Sequence, residues 1–315
     1  MLDKIISNRL AVPVFIALVV VALSFALPSN FYLRVAALVW ISALTVIGLN
    51  LLMGYAGQVS LGHAGFFGIG AYAVAVLPAQ FGLHPLLAAL AGAVIAGATA
   101  FFVGRPILRL KGHYLAVATL GFGMLVAMAI SNEAWLTGGP DGMPVTRLTL
   151  FGWRVRGADT WYWITGGLLV IGAWIAVNLV ASPTGRALRA LHDSEVAARV
   201  AGIDVARAKL IVFIVSAVYA AVAGAALALV NGFVTPDSAN FMHSIELVTM
   251  VVLGGMGSVL GSVAGAAILV VLPQLLTGLH DYEHIMLGLL MMVIMIVLRS
   301  GIVPGLAALI SRRRT

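Results

Sequence analysis

VAALVWISALTVIGLNLLMGYAGQVSLGHAGFFGIGAYAVAVLPAQFGLHPLLAALAGAVIAGATAFFVG, residues 35–104, runs for 70 positions without one Asp, Glu, Lys or Arg. A helix rises 1.5 Å per residue and the hydrocarbon layer of a bilayer is about 30 Å thick, so roughly 20 residues make one crossing. Three crossings fit into this run. Two clusters of helix breakers divide them, GYAGQVSLGHAG at 54–65 and PAQFGLHP at 78–85. Outward from this stretch the pattern repeats: 10–27, 113–131, 161–181 and 209–231 each make a single charge-free span. Glycines 254, 255 and 257 interrupt the run 247–280, which is one broken span or two short ones. The run 285–298 is short and crosses only if tilted or in a thin bilayer. The expected fold is all-α, a polytopic transmembrane helical bundle of roughly 8–10 spans, forming a single domain over 1–315.

Composition agrees. The 315 residues are 62% hydrophobic and only 9% charged, where a soluble domain carries about 25% charge. The absence of cysteine excludes a disulfide scaffold, a thiol nucleophile and an iron–sulfur protein. A net charge of +7 would suggest nucleic acid in a soluble chain. In a membrane protein it is the Lys/Arg bias that orients the spans, and no nucleic-acid partner is expected. Lys4 and Arg9 before an apolar stretch ending at Pro28 resemble a signal peptide. With so many later spans, an uncleaved first helix is the simpler reading.

Short loops rich in Lys and Arg stay in the cytoplasm. Arg105, Arg109 and Lys111 form one cluster, Arg186, Arg189, Arg199, Arg207 and Lys209 a second, and Arg312, Arg313 and Arg314 end the chain. Two crossings separate the first cluster from the second, so both fall inside, together with the two termini. The loop 132–160 is then outside. Its Arg147, Arg154 and Arg156 are offset by Glu133, Asp141 and Asp159, and Trp135, Trp161 and Trp163 flank it like an aromatic belt. Within it RLTLFGWRVR, 147–156, alternates around Gly152 like a small hairpin.

Several chemistries are missing. An ATP-hydrolysing P-loop needs Gly-Lys followed by Ser or Thr, and the three lysines follow Asp3, Leu110 and Ala208. Proton or sodium coupling leaves ionisable groups inside spans, each costing about 2.5–3.5 kcal/mol or more. Glu246 comes nearest to that, so a secondary pump and a path for strongly charged solutes are both disfavoured. HDYEH at 280–284 matches the H-x-x-E-H zinc-protease pattern, but it forms a short polar connector with no helix long enough to hold it. There is no Gly-x-Ser-x-Gly and no aspartate pair inside spans. No catalytic residue, metal ligand or resident cofactor is assigned.

An internal repeat marks a path instead. Gly54, Gly57, Val59, Ala64 and Gly65 recur 200 residues later as Gly254, Gly257, Val259, Ala264 and Gly265. Corresponding Gly-interrupted segments in two halves point to a transport pathway, because broken backbone survives in lipid only inside protein or along a cavity. The candidate pathway residues are Asn50, Gly54, Gly57, Gln58, Ser60, Gly62, His63, Gly254, Gly257 and Ser258. Gly57, Gly62 and Gly257 are expected at breaks or very close helix contacts, and Gly92 and Gly97 at ordinary packing positions. Glycine-rich helices that match by chance or merely pack are the alternative, and the offset leaves open whether the halves are inverted or parallel.

The basic loop SPTGRALRALHDSEVAARVAGIDVARAK, 182–209, holds two short helical segments. One covers Arg186 to Leu191; the other begins near Asp193 or Ser194 and ends at Gly202, a C-cap. Small apolar and basic residues on two short helices make either a docking surface for a rigid partner or a lipid-headgroup connector.

These stretches resemble a known family. GLNLLMGYAGQVSLGHAGFFGIGAY (48–72), LKGHYLAVATLGFG (110–123), ASPTGRALRALHDSEVAARVAGIDVARAKL (181–210) and VVLGGMGSVLGSVAGA (251–266) look like the permeases of branched-chain amino-acid ABC transporters, the LivM-type subunits in particular. The resemblance implies a bacterial inner-membrane importer. This chain and a LivH-like paralogue would pair with two ATPase subunits, which bind ATP and Mg, and with a periplasmic or lipid-anchored solute-binding protein. Glu195–Gly202 corresponds to the EAA-type coupling loop, with Val196 inserted after the glutamate. Gly185, Arg186, Arg189, Asp193, Glu195, Ala198 and Gly202 are the implied coupling positions. The same family imports urea and short-chain amides, and selectivity is expected mainly in the binding protein. Alternating access driven by the ATPases is the implied mechanism. A passive channel for small neutral solutes is the rival, and it has no use for the basic two-helix loop. The mixed charges of 132–160, with Asp141, Arg154 and Arg156, suit either a landing surface for the binding protein or a flap over the pore.

Overall fold

The computed structural model describes residues 10–27, 29–150 and 153–275, with positions 288, 292, 301–303 and 305 beyond them. The HDYEH pattern, most of the run 285–298, Lys4, Arg9 and the terminal arginines lie outside the described residues.

Among the described residues the protein is an all-α bundle. In chain order the helices are α1 (Ala11–Ala26), α2 (Asn30–Ala56), α3 (His63–Phe81), α4 (Pro85–Ile107), α5 (His113–Asn132), α6 (Ala134–Thr137), α7 (Ala158–Ala181), α8 (Pro183–Asp193), α9 (Glu195–Val200), α10 (Val205–Asn231), α11 (Phe241–Gly254) and α12 (Val259–Leu275). Six of them, α2, α3, α4, α5, α7 and α10, are long and apolar enough to cross a membrane. The shorter apolar helices are α1, α11 and α12.

The breaks fall where the chain lacks side chains or donors. Gly57 leaves α2 in the left-handed region at φ +65°, which costs glycine nothing. Gly82 ends α3 the same way, and Pro85 opens α4 at a position where its missing N–H is not needed. The run 247–280 resolves as two short helices: α11 and α12 fold back on each other.

Helix α10 is the central post, packed against α2, α3 and α4. Its buried face is small: Ala217, Ala220, Ala221 and Gly224. A Cβ added at Gly70 or Gly224 would fall well inside 3.0 Å of the facing backbone, so α3 and α10 approach at main-chain distance. Helix α2 packs on α7, α10 and α12, and hardly touches α3, its neighbour in sequence.

The two ends differ in charge. At one end Arg105, Arg109 and Lys111 line a single cavity with Arg199, Arg207 and Lys209, so the two cation clusters share a face. The loop 132–160 lies at the other end. There β1 (Met143–Pro144) pairs antiparallel with β4 (Phe233–Val234), and β2 (Thr149–Leu150) pairs with β3 (Trp153–Arg154), the hairpin expected around Gly152. His84 Nε2 meets the carbonyl of Thr149 at 2.7 Å, which ties the hairpin to the start of α4.

Candidate translocation joint and coupling loop

Asn50, only 1% exposed, joins the two glycine breaks. Its amide nitrogen donates to Ser262 Oγ (2.8 Å), Ser258 O (3.0 Å) and Gly255 O (3.3 Å), and its oxygen accepts from Gly257 N (2.8 Å). One turn on, a Cβ at Gly54 would lie well inside 3.0 Å of both Gly257 N and Asn50 Oδ1. The two halves of the sequence repeat therefore touch each other, through Gly54 and Gly257. Gly57 and Gly257 share a left-handed backbone, at φ +65° and +75°. Past those glycines the shapes differ. A Cβ at Gly254 would collide with Gly261 O, and one at Gly265 with Met250 O, so the second break closes into a tight hairpin. The first break opens, sending α2 and α3 apart.

Residues 57–62 climb from one end of the bundle into its interior. A Cβ at Gly57 would lie 3.3 Å from the ring of His192 in α8. Six residues later His63 Nε2 meets Ser216 Oγ at 2.6 Å. Ser216 lies about 16 Å along α10 from its start, counting 1.5 Å per residue. Helix α3 thus begins inside the bundle. Backbone without helical pairing at such depth must be covered by protein. Leu61 N donates to Thr119 Oγ1 (3.1 Å), Ala64 N donates to Ser244 Oγ (3.1 Å), and Gln58 Nε2 donates to Ala56 O (3.0 Å). His63 is fully buried, held between Ser60 Oγ (2.8 Å) and Ser216 and set edge-on to Phe66 and Phe213.

Among the described residues, Asn50, Gln58, Ser60 and His63, expected along a path, are not in the lining of the three cavities of about 520, 740 and 660 Å³ at the two ends of the bundle. Each is hydrogen-bonded within or between helices at the breaks. The open spaces at the loop end are instead two adjoining clefts that share Asn231. One, of about 520 Å³, is lined by Thr235, Asp237, Asn240, His243 and Glu246. The other, of about 740 Å³, is lined by Asn30, Arg34, Arg147 and Arg156. His243 Nδ1 lies 3.2 Å from Glu246 Oε2, and its ring packs 5.0 Å from that of Phe67. One cleft therefore has an acidic side and the other a basic one. Asp141 sits exposed in the short 3-10 turn Gly139–Asp141, and Arg154 pairs through its backbone with Thr149.

The loop at the basic end is capped three times. Ser182 Oγ accepts from Gly185 N and Ser194 Oγ from Ala197 N, both at 3.3 Å, and Asp204 accepts from Arg207 N at 3.0 Å. Pro183 fills the first position of α8, and Gly202 at φ +82° follows α9. Such caps fix the start of short helices that are marginal alone. Leu188 and Leu191 are buried in the core that contains α2 and α7, while Arg186, Arg189, Asp193 and Arg199 face out. Lys209, 2% exposed, forms an ion pair with Glu195, which clamps α9 to α10. Among the described residues no group of three or more His, Asp or Glu side chains could hold a metal ion.

The family model described as "Branched-chain amino acid transport system / permease component" matches residues 31–297. The chain belongs to this permease family. It is 35% identical over 314 residues to the high-affinity branched-chain amino acid transport system permease protein LivM of Escherichia coli (strain K12), covering 92% of this chain and 74% of that one. The LivH permease of the same system in that organism is 26% identical, over 82% of this chain and 90% of LivH. The fructose import permease protein FrcC of Rhizobium meliloti is 27% identical, over 68% and 62%. No solved structure matches. Members are permease subunits of ABC transporters and not enzymes; ATP hydrolysis belongs to their partner subunits. The protein is a multi-pass membrane protein.

Two of the implied coupling positions lie inside the fold. Gly185 and Ala198 are buried: a Cβ at Gly185 would collide with the carbonyls of Leu179 and Val180, and Ala198 faces inward. The outward apolar positions of α9 are Val196 and Val200, 71% and 84% exposed and four residues apart on one helical face. The residue inserted after the glutamate is thus a surface knob. Gly92 packs closely against α3, where its Cβ would lie 2.7 Å from that of Ala73. Sequence reasoning missed Thr119, Ser216, Ser244 and Ser262. Lone hydroxyls in apolar helices are a recognisable sign of interhelical bonding, but only the fold names their partners.

Proposed function

We propose that this chain is one of two permease subunits of an ABC importer in a bacterial inner membrane, passing branched-chain amino acids inward by alternating access. The partners are a LivH-like permease, two ATPase subunits that bind ATP and Mg, and an external solute-binding protein. The basic end faces the cytoplasm. One observation carries the reading: the α8–α9 loop, capped at Ser182, Ser194 and Asp204, exposes Val196 and Val200 and lies with His192 against Gly57 at the first break. Motion of an ATPase seated on that loop reaches the break directly. Residues 57–62 and the Asn50 joint are then the parts that rearrange, rather than a preformed pore lining. The binding protein lands on 132–160, with Asp141, Arg154 and Arg156 as its docking charges; Arg156 lines one cleft with Arg34 and Arg147.

The relatives LivM and LivH are named for branched-chain amino acids. Urea and short-chain amides form the second reading. Adjoining acidic and arginine-lined clefts at the outer mouth favour a zwitterion, which presents both charges, over a neutral amide. Uptake by proteoliposomes carrying the complete assembly separates the readings. ATP-dependent leucine uptake supports the proposal, ATP-dependent urea or acetamide uptake without leucine supports the second reading, and ATP-independent flux of neutral solutes would mean a channel.

A further inference from the structure

The cavity at the basic end, about 660 Å³, is lined by Arg105, Arg109 and Lys111 from the end of α4, by Glu195 and Arg199 of α9, and by Asp204, Arg207 and Lys209 at the start of α10. Glu195 is spent on Lys209, and the Asp204 carboxylate caps α10. That leaves Arg105, Arg109, Lys111, Arg199 and Arg207 around one space, and among the described residues none of them makes a salt bridge. Cations crowded in a partly enclosed space repel one another and raise the local concentration of anions. The surroundings say which kind. Arg105 lies with its guanidinium 4.0 Å from the centre of the Phe101 ring, at the end of a helix that is mostly exposed along its apolar length. Phe102, Leu110, Tyr114 and Val117, on α4, α5 and their connection, are exposed apolar side chains. A ligand that fits here has an anionic head for the cavity and hydrocarbon for the flank.

We propose that this cavity binds the phosphate headgroup of an anionic phospholipid, whose chains run along the exposed face of α4 and α5. Basic pockets between spans on the cytoplasmic side suit such headgroups. The site adjoins the Glu195–Lys209 clamp, so the lipid braces α9 against α4 and steadies the coupling loop. The proposal needs the cavity and the bilayer, and does not depend on which solute is carried.

Native mass spectrometry of the full-length chain, purified with equal amounts of phosphatidylglycerol and phosphatidylcholine, tests it. Wild type should retain phosphatidylglycerol selectively. Arg105→Gln/Arg109→Gln should lower that retention by about tenfold or more, given the attraction of each arginine for an anionic surface. Arg186→Gln/Arg189→Gln, on α8 away from the cavity, should retain it like wild type; an unchanged melting temperature for both variants separates lost binding from misfolding. Equal retention of the two lipids overturns the proposal, as does equal loss in both variants. Displacement by inorganic phosphate alone would identify a free anion as the ligand and also overturn it. So would crosslinking from position 109 in the assembled complex that captures an ATPase subunit and no lipid.

Discussion

Replacing Asn50 perturbs a buried side chain that bonds α2 to the second glycine break, one turn from Gly54. Asn50→Ala removes an acceptor from Gly257 N and donors from Ser262 Oγ, Ser258 O and Gly255 O, in a site with almost no access to water. Interhelical hydrogen bonds in membranes average about 0.6 kcal/mol and reach about 1.7. A buried group left without a partner costs about 1–3 kcal/mol. Because one substitution orphans several groups at a single joint, the expected loss is about 2–3 kcal/mol. Asn50→Asp keeps the acceptor for Gly257 but aims a carboxylate at two carbonyls, so it should be worse than alanine. Unfolding of the purified chain in mixed micelles with increasing SDS reads both. A cycle with Ser262→Ala should give a coupling of about 0.6–1.7 kcal/mol. Alanine as stable as wild type, aspartate more stable than alanine, or zero coupling would refute the role given to this joint.

Gly62→Ala should abolish uptake, since its Cβ would collide with Thr119 O, whereas Gly97→Ala meets only Val218 and Ile214 side chains at 3.3 and 3.8 Å and should leave transport nearly intact; equal effects on uptake would favour a purely packing role for both. Glu195→Gln, which leaves Lys209 buried without its counter-charge, should destabilise the chain toward the lower end of the roughly 3–5 kcal/mol typical of broken buried pairs, as Glu195 is 24% exposed. Detergent thermal melts check this, and Glu195→Gln/Lys209→Met should recover most of the loss. Arg154→Glu/Arg156→Glu should weaken stimulation of the ATPase by loaded binding protein in a salt-dependent way, with basal hydrolysis unchanged. Stimulation unaltered across a salt series would leave the loop 132–160 as a flap.

The spans were legible because lipid allows only one kind of regular backbone here, and charge-free length reports it directly. The starts of α8 and α9 were legible for a similar reason: Ser182 and Ser194 act locally, within three residues of themselves. Contacts across long separations were hidden. Nothing local in the sequence says that Asn50 reaches Ser262, or that His63 reaches Ser216, because a lone polar group in an apolar helix has many equivalent partners until the helices are packed. The glycine frame at 54 and 254 was readable as a repeat. That its halves touch, one opening and one closing into a hairpin, depends on Gly261 and Gly265, which crowd α12 against α11. On α9 the helical period alone places Val196 and Val200 on one face and Ala198 on the other, but which face is outward is set by packing against α8 and α10.

In the proposed function an ATPase drives this permease through the α8–α9 loop. A photocrosslinker placed at Val200, 84% exposed at the basic end, tests it in the intact membrane, with Trp135, 76% exposed at the loop end, as the control position. The account predicts that Val200 captures a nucleotide-binding subunit, with a yield that changes between ATP-bound and nucleotide-free states, and that Trp135 never does. Capture of only lipid or the external binding protein from Val200 would contradict it.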